Sequence, residues 1–210
     1  MPAGIQPMEQ GECLSRAERM SVTEKVEMMM DMASELHDRL MDWANYTTDV
    51  GKPGEIYKAT SVIEKVAAAY ELFCRFRYLG SEGDIYVAID DLTIAGKWRS
   101  REYDELDSLD SLLEERQKLP SIENLTVAER VNELLERQRE ATQQLWNELK
   151  SIDGRDVRTR AYGRGVGLLT EWSTTYLEFL GPTNEVDREY ERLMGFGETA
   201  SRDGQLDSSV

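Results

Sequence analysis

Five carboxylates, Glu24, Glu27, Asp31, Glu35 and Asp38, recur at steps of three and four, which on a helix sets them along one stripe. Hard divalent cations such as Mg²⁺ take oxygen ligands of this kind, although a first shell would need further oxygens from a second helix or a substrate phosphate. Lys25 and Arg39 stand beside the stripe, and acids interspersed with bases read first as a solvated face. No metal ligand is therefore assigned. Nucleophilic chemistry has little to draw on: His37, the single histidine, sits between Glu35 and Asp38 with no serine or cysteine at motif spacing. The two cysteines, Cys13 and Cys74, cannot with one histidine supply a four-ligand zinc site of the usual kind. Cys74 lies among Tyr70, Phe73 and Phe76, where a buried structural thiol is expected. No catalytic residue and no cofactor-binding residue is assigned, and the chain is expected not to be an enzyme.

In carrying Glu and Asp three residues apart, the acidic stripe resembles the carboxylate pairs of all-α nucleoside-triphosphate pyrophosphohydrolases. The resemblance implies, as an alternative function, a Mg²⁺-dependent nucleotide phosphohydrolase. It extends no further than the spacing: those enzymes spread their pairs over two helices, and here both lie on one. No family assignment follows.

The most specific feature is a reversal of charge. Arg155, Arg158, Arg160 and Arg164 are accompanied only by Asp156 in a chain of net charge −16. Two readings stand: internal pairing with the acidic segment 102–115, or recognition of an external acidic or anionic partner. Gly163, Gly165 and Gly167 fall in the same region. Glycine inside a helix costs about 1 kcal/mol relative to alanine, so close helix packing or a local break is expected there. The glycines are not a phosphate loop, for the Lys-Ser/Thr ending and a preceding strand are both missing. Met28, Met29, Met30 and Met32 make a Met-rich stretch; core packing is the commoner use, but consecutive residues cannot all point inward on one helix, and Met28 and Met29 are taken as candidates for an adaptable binding surface.

The chain has 41 acidic and 25 basic residues, 40% hydrophobic and 31% charged overall, enough apolar content to fold under a heavily charged surface. Phosphate binding needs clustered Lys and Arg, so direct nucleic-acid and anionic-membrane binding are disfavoured, and an acidic inhibitor that mimics nucleic acid is a further alternative. The four tryptophans, Trp43, Trp98, Trp146 and Trp172, are dispersed rather than interleaved with bases and read as core and interface anchors. With no signal-like or membrane-spanning stretch near the start, the expected location is cytoplasmic or nuclear, not secreted.

Positioning these residues falls to helices. Ser21 and Glu24 have capping-box spacing, and Val22, Val26, Met29, Met30, Ala33, Leu36, Leu40 and Trp43 follow at helical intervals, predicting a helix over about 22–46. Pro53 and its flanking glycines are read as a break. A central helix is expected over about 55–79, with Gly80 as its C-terminal cap. Residues 81–96 are ambiguous: Ile85, Val87 and Ile89 alternate as in a strand, whereas Ile85, Ile89 and Leu92 suit a helix capped by Ser81. Helix is preferred because a lone strand would lack a pairing partner. An acidic surface helix follows over about 101–118, then a long helix over about 127–152 opened by a Thr126/Glu129 capping box. Helices over about 156–180 and 185–194 complete an all-α bundle of about six helices. Residues 1–20 are expected to form a flexible leader, 21–194 the helical domain and 195–210 a disordered tail.

The heptad-like seam of the 127–152 helix, including Leu134 and Leu145, is a candidate for pairing with another helix. The competing reading is that this face is the chain's own core. The expected function is a helical protein–protein interaction module, an adaptor, assembly or regulatory factor. Its partner is another protein or a second copy of itself, met through Arg155, Arg158, Arg160, Arg164, Met28, Met29, Leu134 and Leu145.

Overall fold

A computed structural model describes residues 17–47, 49, 51–96, 114 and 117–195. Among these the regular structure is entirely helical: α1 (Val22–Tyr46), α2 (Pro53–Tyr78), α3 (Glu82–Ile94), α4 (Val127–Leu149), α5 (Arg155–Leu177) and α6 (Thr183–Met194), with 3-10 turns at Ala17–Arg19 and Ile122–Asn124. The acidic helix expected over 101–118 lies, apart from a few of its last residues, outside the described residues, as do Cys13, Trp98 and most of the expected leader and tail. No described helix is long and apolar enough to cross a membrane.

Both capping boxes form. Ser21 Oγ accepts from Glu24 N and Thr126 Oγ1 from Glu129 N, while each glutamate accepts from the backbone N–H of its capping residue, at 2.7 Å and 2.8 Å. Those backbone hydrogen bonds hold the Glu24 and Glu129 carboxyls below the usual carboxylate value of 4.5. A carboxyl depressed in the folded state contributes stability that is present above its unfolded pKa and lost as pH falls through the folded one. Urea unfolding midpoints should therefore hold steady above pH 4.5 and decline below it. Glu24→Gln with Glu129→Gln removes the titrating carboxyls and should flatten that acid limb; an unchanged acid limb would remove the caps from the explanation.

The break expected around Pro53 separates α1, which ends at Tyr46, from α2, with Lys52 held extended before the proline; Pro53 itself is the first residue of α2, because a first helical residue has no N–H to contribute and the ring fixes a helical φ. One boundary expectation is corrected. Gly80 is not a left-handed cap: α2 ends at Leu79 in right-handed geometry, and Gly80 is small because Val22 packs against it, a Cβ there lying 3.1 Å from Val22 Cγ2. Residues 81–96 are helical, with Ser81 Oγ accepting from Asp84 N.

The core is built around α2, which packs on α1, α4 and α5; α4 also packs on α5 and α6, and α1 on α3. Residues 70–78 of α2 and the following Leu79 are buried without a break, since helices surround that half. Gly165 is the close-approach point of α4 and α5: a Cβ there would overlap Leu145 and lie 3.4 Å from Ile63.

Candidate functional site

The buried half of α2 carries a polar network that neither periodicity nor motif revealed. Arg75 Nε and Nη2 donate to Glu71 Oε1 and Oε2, both at 2.9 Å, with the two side chains 2% and 5% exposed. Tyr176 of α5 donates to Glu71 Oε1 at 2.9 Å. One turn further, Arg77 donates to both oxygens of Glu133 on α4 at 2.7 and 2.9 Å, and Tyr78 donates to the same carboxylate at 3.0 Å. Ser173 Oγ donates to Leu169 O and so accepts from Tyr70 at 2.7 Å. The Arg137 guanidinium lies 4.6 Å from the centre of the Phe73 ring. Acid and base three or four residues apart are ordinary surface pairs, so Glu71 and Arg75 gave no signal of burial; Glu133 and Tyr176 come from other helices altogether.

Burial is the main cause that pushes the Tyr70, Tyr78 and Tyr176 hydroxyls and the Cys74 thiol above their ordinary pKa values. All four therefore stay protonated at neutral pH, and a buried thiol of this kind is inert rather than nucleophilic. The three tyrosines act as fixed donors joining α2 to α4 and α5.

The acidic stripe of α1 is dispersed in use. Glu24 is committed to its cap, and His37 Nδ1 meets Glu64 Oε1 of α2 at 2.8 Å rather than its acidic neighbours. Among the described residues no three His, Cys, Asp or Glu side chains converge as a metal site would require. A second acidic row, Glu129, Glu133, Glu136 and Glu140, lines an open cleft with Arg137 and Arg192. Each of those carboxylates already has a partner: Thr126, Arg77, Arg139 and Arg137 respectively.

The residues expected to meet a partner divide sharply. Met29, Leu134 and Leu145 are buried in the chain's own core. The seam of α4 thus faces α2 and α5, so it is not a free seam for another helix. Met28 is half-buried against the same core, and its neighbour in space, Met32, accepts a hydrogen bond from Thr175 Oγ1 at 3.3 Å. Arg164 is turned inward and donates to Arg39 O at 3.1 Å, while Arg39 pairs with Glu171 at 2.9 Å. Arg158 reaches Lys150 O at 3.4 Å. Arg155 and Arg160 are exposed, and neither guanidinium makes a hydrogen bond or ion pair with a described residue. The segment 102–115 proposed to neutralise them lies, apart from Glu114, outside the described residues.

The outward side of α5 that carries Arg160 continues through Gly163, Gly167, Thr170 and Thr174, all exposed. Unlike Gly165, Gly163 and Gly167 have no atom of the described residues within 4 Å of where a Cβ would stand. Packing among the described residues explains one of the three glycines and not the other two. Beside this strip Trp146 of α4, 38% exposed, meets Tyr162 edge-on with ring centres 5.1 Å apart. Comparison with protein-family models, with curated proteins and with solved structures gives no match.

Proposed function

We propose that this chain is a non-enzymatic helical protein–protein interaction module that meets an acidic partner through the outward face of α5. The observation that carries the reading is Arg160, exposed on the side of α5 that continues through Gly163 and Gly167, with Arg155 also exposed about one and a half turns before it, in a chain of net charge −16. Two open glycines in a helix interior forgo helix propensity of about 1 kcal/mol each with no contact from the described residues in return; a close-packed partner helix accounts for them. Protonated, buried Tyr and Cys side chains in the polar network support a scaffold role for the interior rather than a reacting one.

The test is an anisotropy titration of a labelled acidic amphipathic helical peptide, with the wild type and with Arg155→Glu/Arg160→Glu. Charge reversal should weaken binding at least tenfold and leave the melting temperature nearly unchanged, because exposed unpaired charges contribute little to stability. Equal affinity in the two proteins, or no binding by the wild type, would reject the reading.

A further inference from the structure

Asp153 and Gly154 lie in the turn between α4 and α5, and both are exposed, with Gly154 at a φ of +88°. The hydrogen bonds of this turn are made by other groups: Asp153 N donates to Glu55 Oε2 at 3.2 Å, and Gly154 O accepts from Arg158 N at 3.1 Å. The Asp153 carboxylate makes no hydrogen bond or ion pair with a described residue. Lys58 lies close enough to feel its charge, but that ammonium is held by Glu55 at 2.8 Å. Nor does the Gly154 N–H donate to any described residue.

A side-chain carboxyl carbon and the backbone nitrogen of the next residue can close a five-membered ring. A side chain on that next residue hinders the closure, and so does a hydrogen bond that holds its N–H. Glycine has no Cβ, and here its N–H is free of the described residues. No other described aspartate combines these features: each is followed by a residue that carries a side chain, and all but Asp49 lie within helices.

We infer that Asp153 is a self-modification site of the folded protein, at which the backbone isomerises to isoaspartate. Gly154 N bonds to Cγ of the protonated Asp153 acid, and the amide proton leaves with the carboxyl hydroxyl as water, giving a succinimide. Water then adds to one ring carbonyl and the bond from that carbon to nitrogen breaks. Breaking at Cγ returns aspartate. Breaking at the backbone carbonyl leaves the chain running through Cγ, one methylene longer, with a free α-carboxylate. The water released is the water consumed, and the net charge is unchanged.

The extra methylene falls where the turn is tightly packed. Ile152 and Val157, 5% and 3% exposed, are buried on either side of it, and a Cβ on Gly51 would overlap the Val157 side chain. Close-packed interiors transmit such a displacement, so the isoaspartyl form should melt at a lower temperature than the fresh protein.

The test stores the full-length folded protein for weeks at body temperature and mildly acidic pH in heavy-oxygen water, then maps its peptides by mass spectrometry. Isoaspartate carrying one heavy oxygen should appear at position 153 above the level at every other described aspartate. It should be lost in Asp153→Glu, which keeps the charge but would have to close a larger ring. Asp203-Gly204 repeats the dipeptide outside the described residues and is read on a separate peptide. Absence of isoaspartate at 153 in the folded protein overturns the inference, and its appearance there only in urea would show that the fold protects the turn. Isoaspartate at 153 without heavy oxygen overturns the ring route.

Discussion

Glu71→Ala lowers the unfolding free energy by roughly 3–5 kcal/mol, the range for removing one member of a buried ion pair. The expected size follows from what the substitution leaves behind. Arg75 is 2% exposed and gives two hydrogen bonds of 2.9 Å to the Glu71 carboxylate, so its guanidinium cannot turn to water without opening the helix packing. Tyr176, fully buried, loses the oxygen to which it donates at 2.9 Å. The pair is not thereby a source of net stability. Its two charges were taken out of water to make it, and replacing both by apolar side chains of similar volume is often neutral or better. Glu71→Leu/Arg75→Met should therefore recover most of what Glu71→Ala loses. Urea denaturation of the three variants decides the matter: a single-mutant loss below about 1 kcal/mol would mean that water reaches Arg75, contrary to its burial.

What the network confers is register. Glu71 is bound from α5 through Tyr176, Glu133 of α4 is bound from α2 through Arg77 and Tyr78, and a one-residue slip of either helix would leave a buried carboxylate without its donors. Apolar packing among Leu, Ile and Val is far more tolerant of such slips. The glutamate of Glu71 and the arginine of Arg75 are, in the sequence, one acid and one base at helix spacing, no different from Glu136 and Arg139, which are exposed. Only the positions of α4 and α5 distinguish them.

The same contrast explains which parts of this protein a sequence reading can reach. Helices and their starts were legible because they are encoded locally: the Ser21/Glu24 and Thr126/Glu129 boxes need four residues each, and Ile85, Ile89 and Leu92 suffice to choose helix over strand when no strand partner exists. Gly80 reads as a left-handed cap because a glycine packed under Val22 and a glycine at positive φ look alike in sequence. Gly163, Gly165 and Gly167 were indistinguishable as a row; helical periodicity turns Gly165 toward Leu145 and the other two to solvent. The arginine cluster was visible as composition but not as geometry, and the fold divides it, turning Arg158 and Arg164 to backbone carbonyls and leaving Arg155 and Arg160 outward.

Leu134 gives the second large effect and separates the two readings of the α4 seam. Its periodic neighbours Val131, Ala141, Leu145 and Leu149 suit an intermolecular coiled coil as well as a core, and in either case Leu134→Glu would change the hydrodynamic behaviour. The structure places Leu134 at 0% exposure within the chain's own core. A carboxylate there has no apolar-to-solvent escape, and burial of an ionised group without a partner is among the few single changes that unfold a domain outright. Leu134→Ala, which removes apolar contacts without adding charge, should cost roughly 2–5 kcal/mol, with the exact value set by how far α2 and α5 collapse onto the cavity. Circular dichroism and sedimentation together read the outcome. Loss of the helical signal in Leu134→Glu at every concentration, with Leu134→Ala folded but destabilised, is the expected result. A Leu134→Glu protein that keeps its helices and its melting temperature while losing only oligomer mass would return the α4 seam to the surface and would contradict the packing of α4 against α2 and α5.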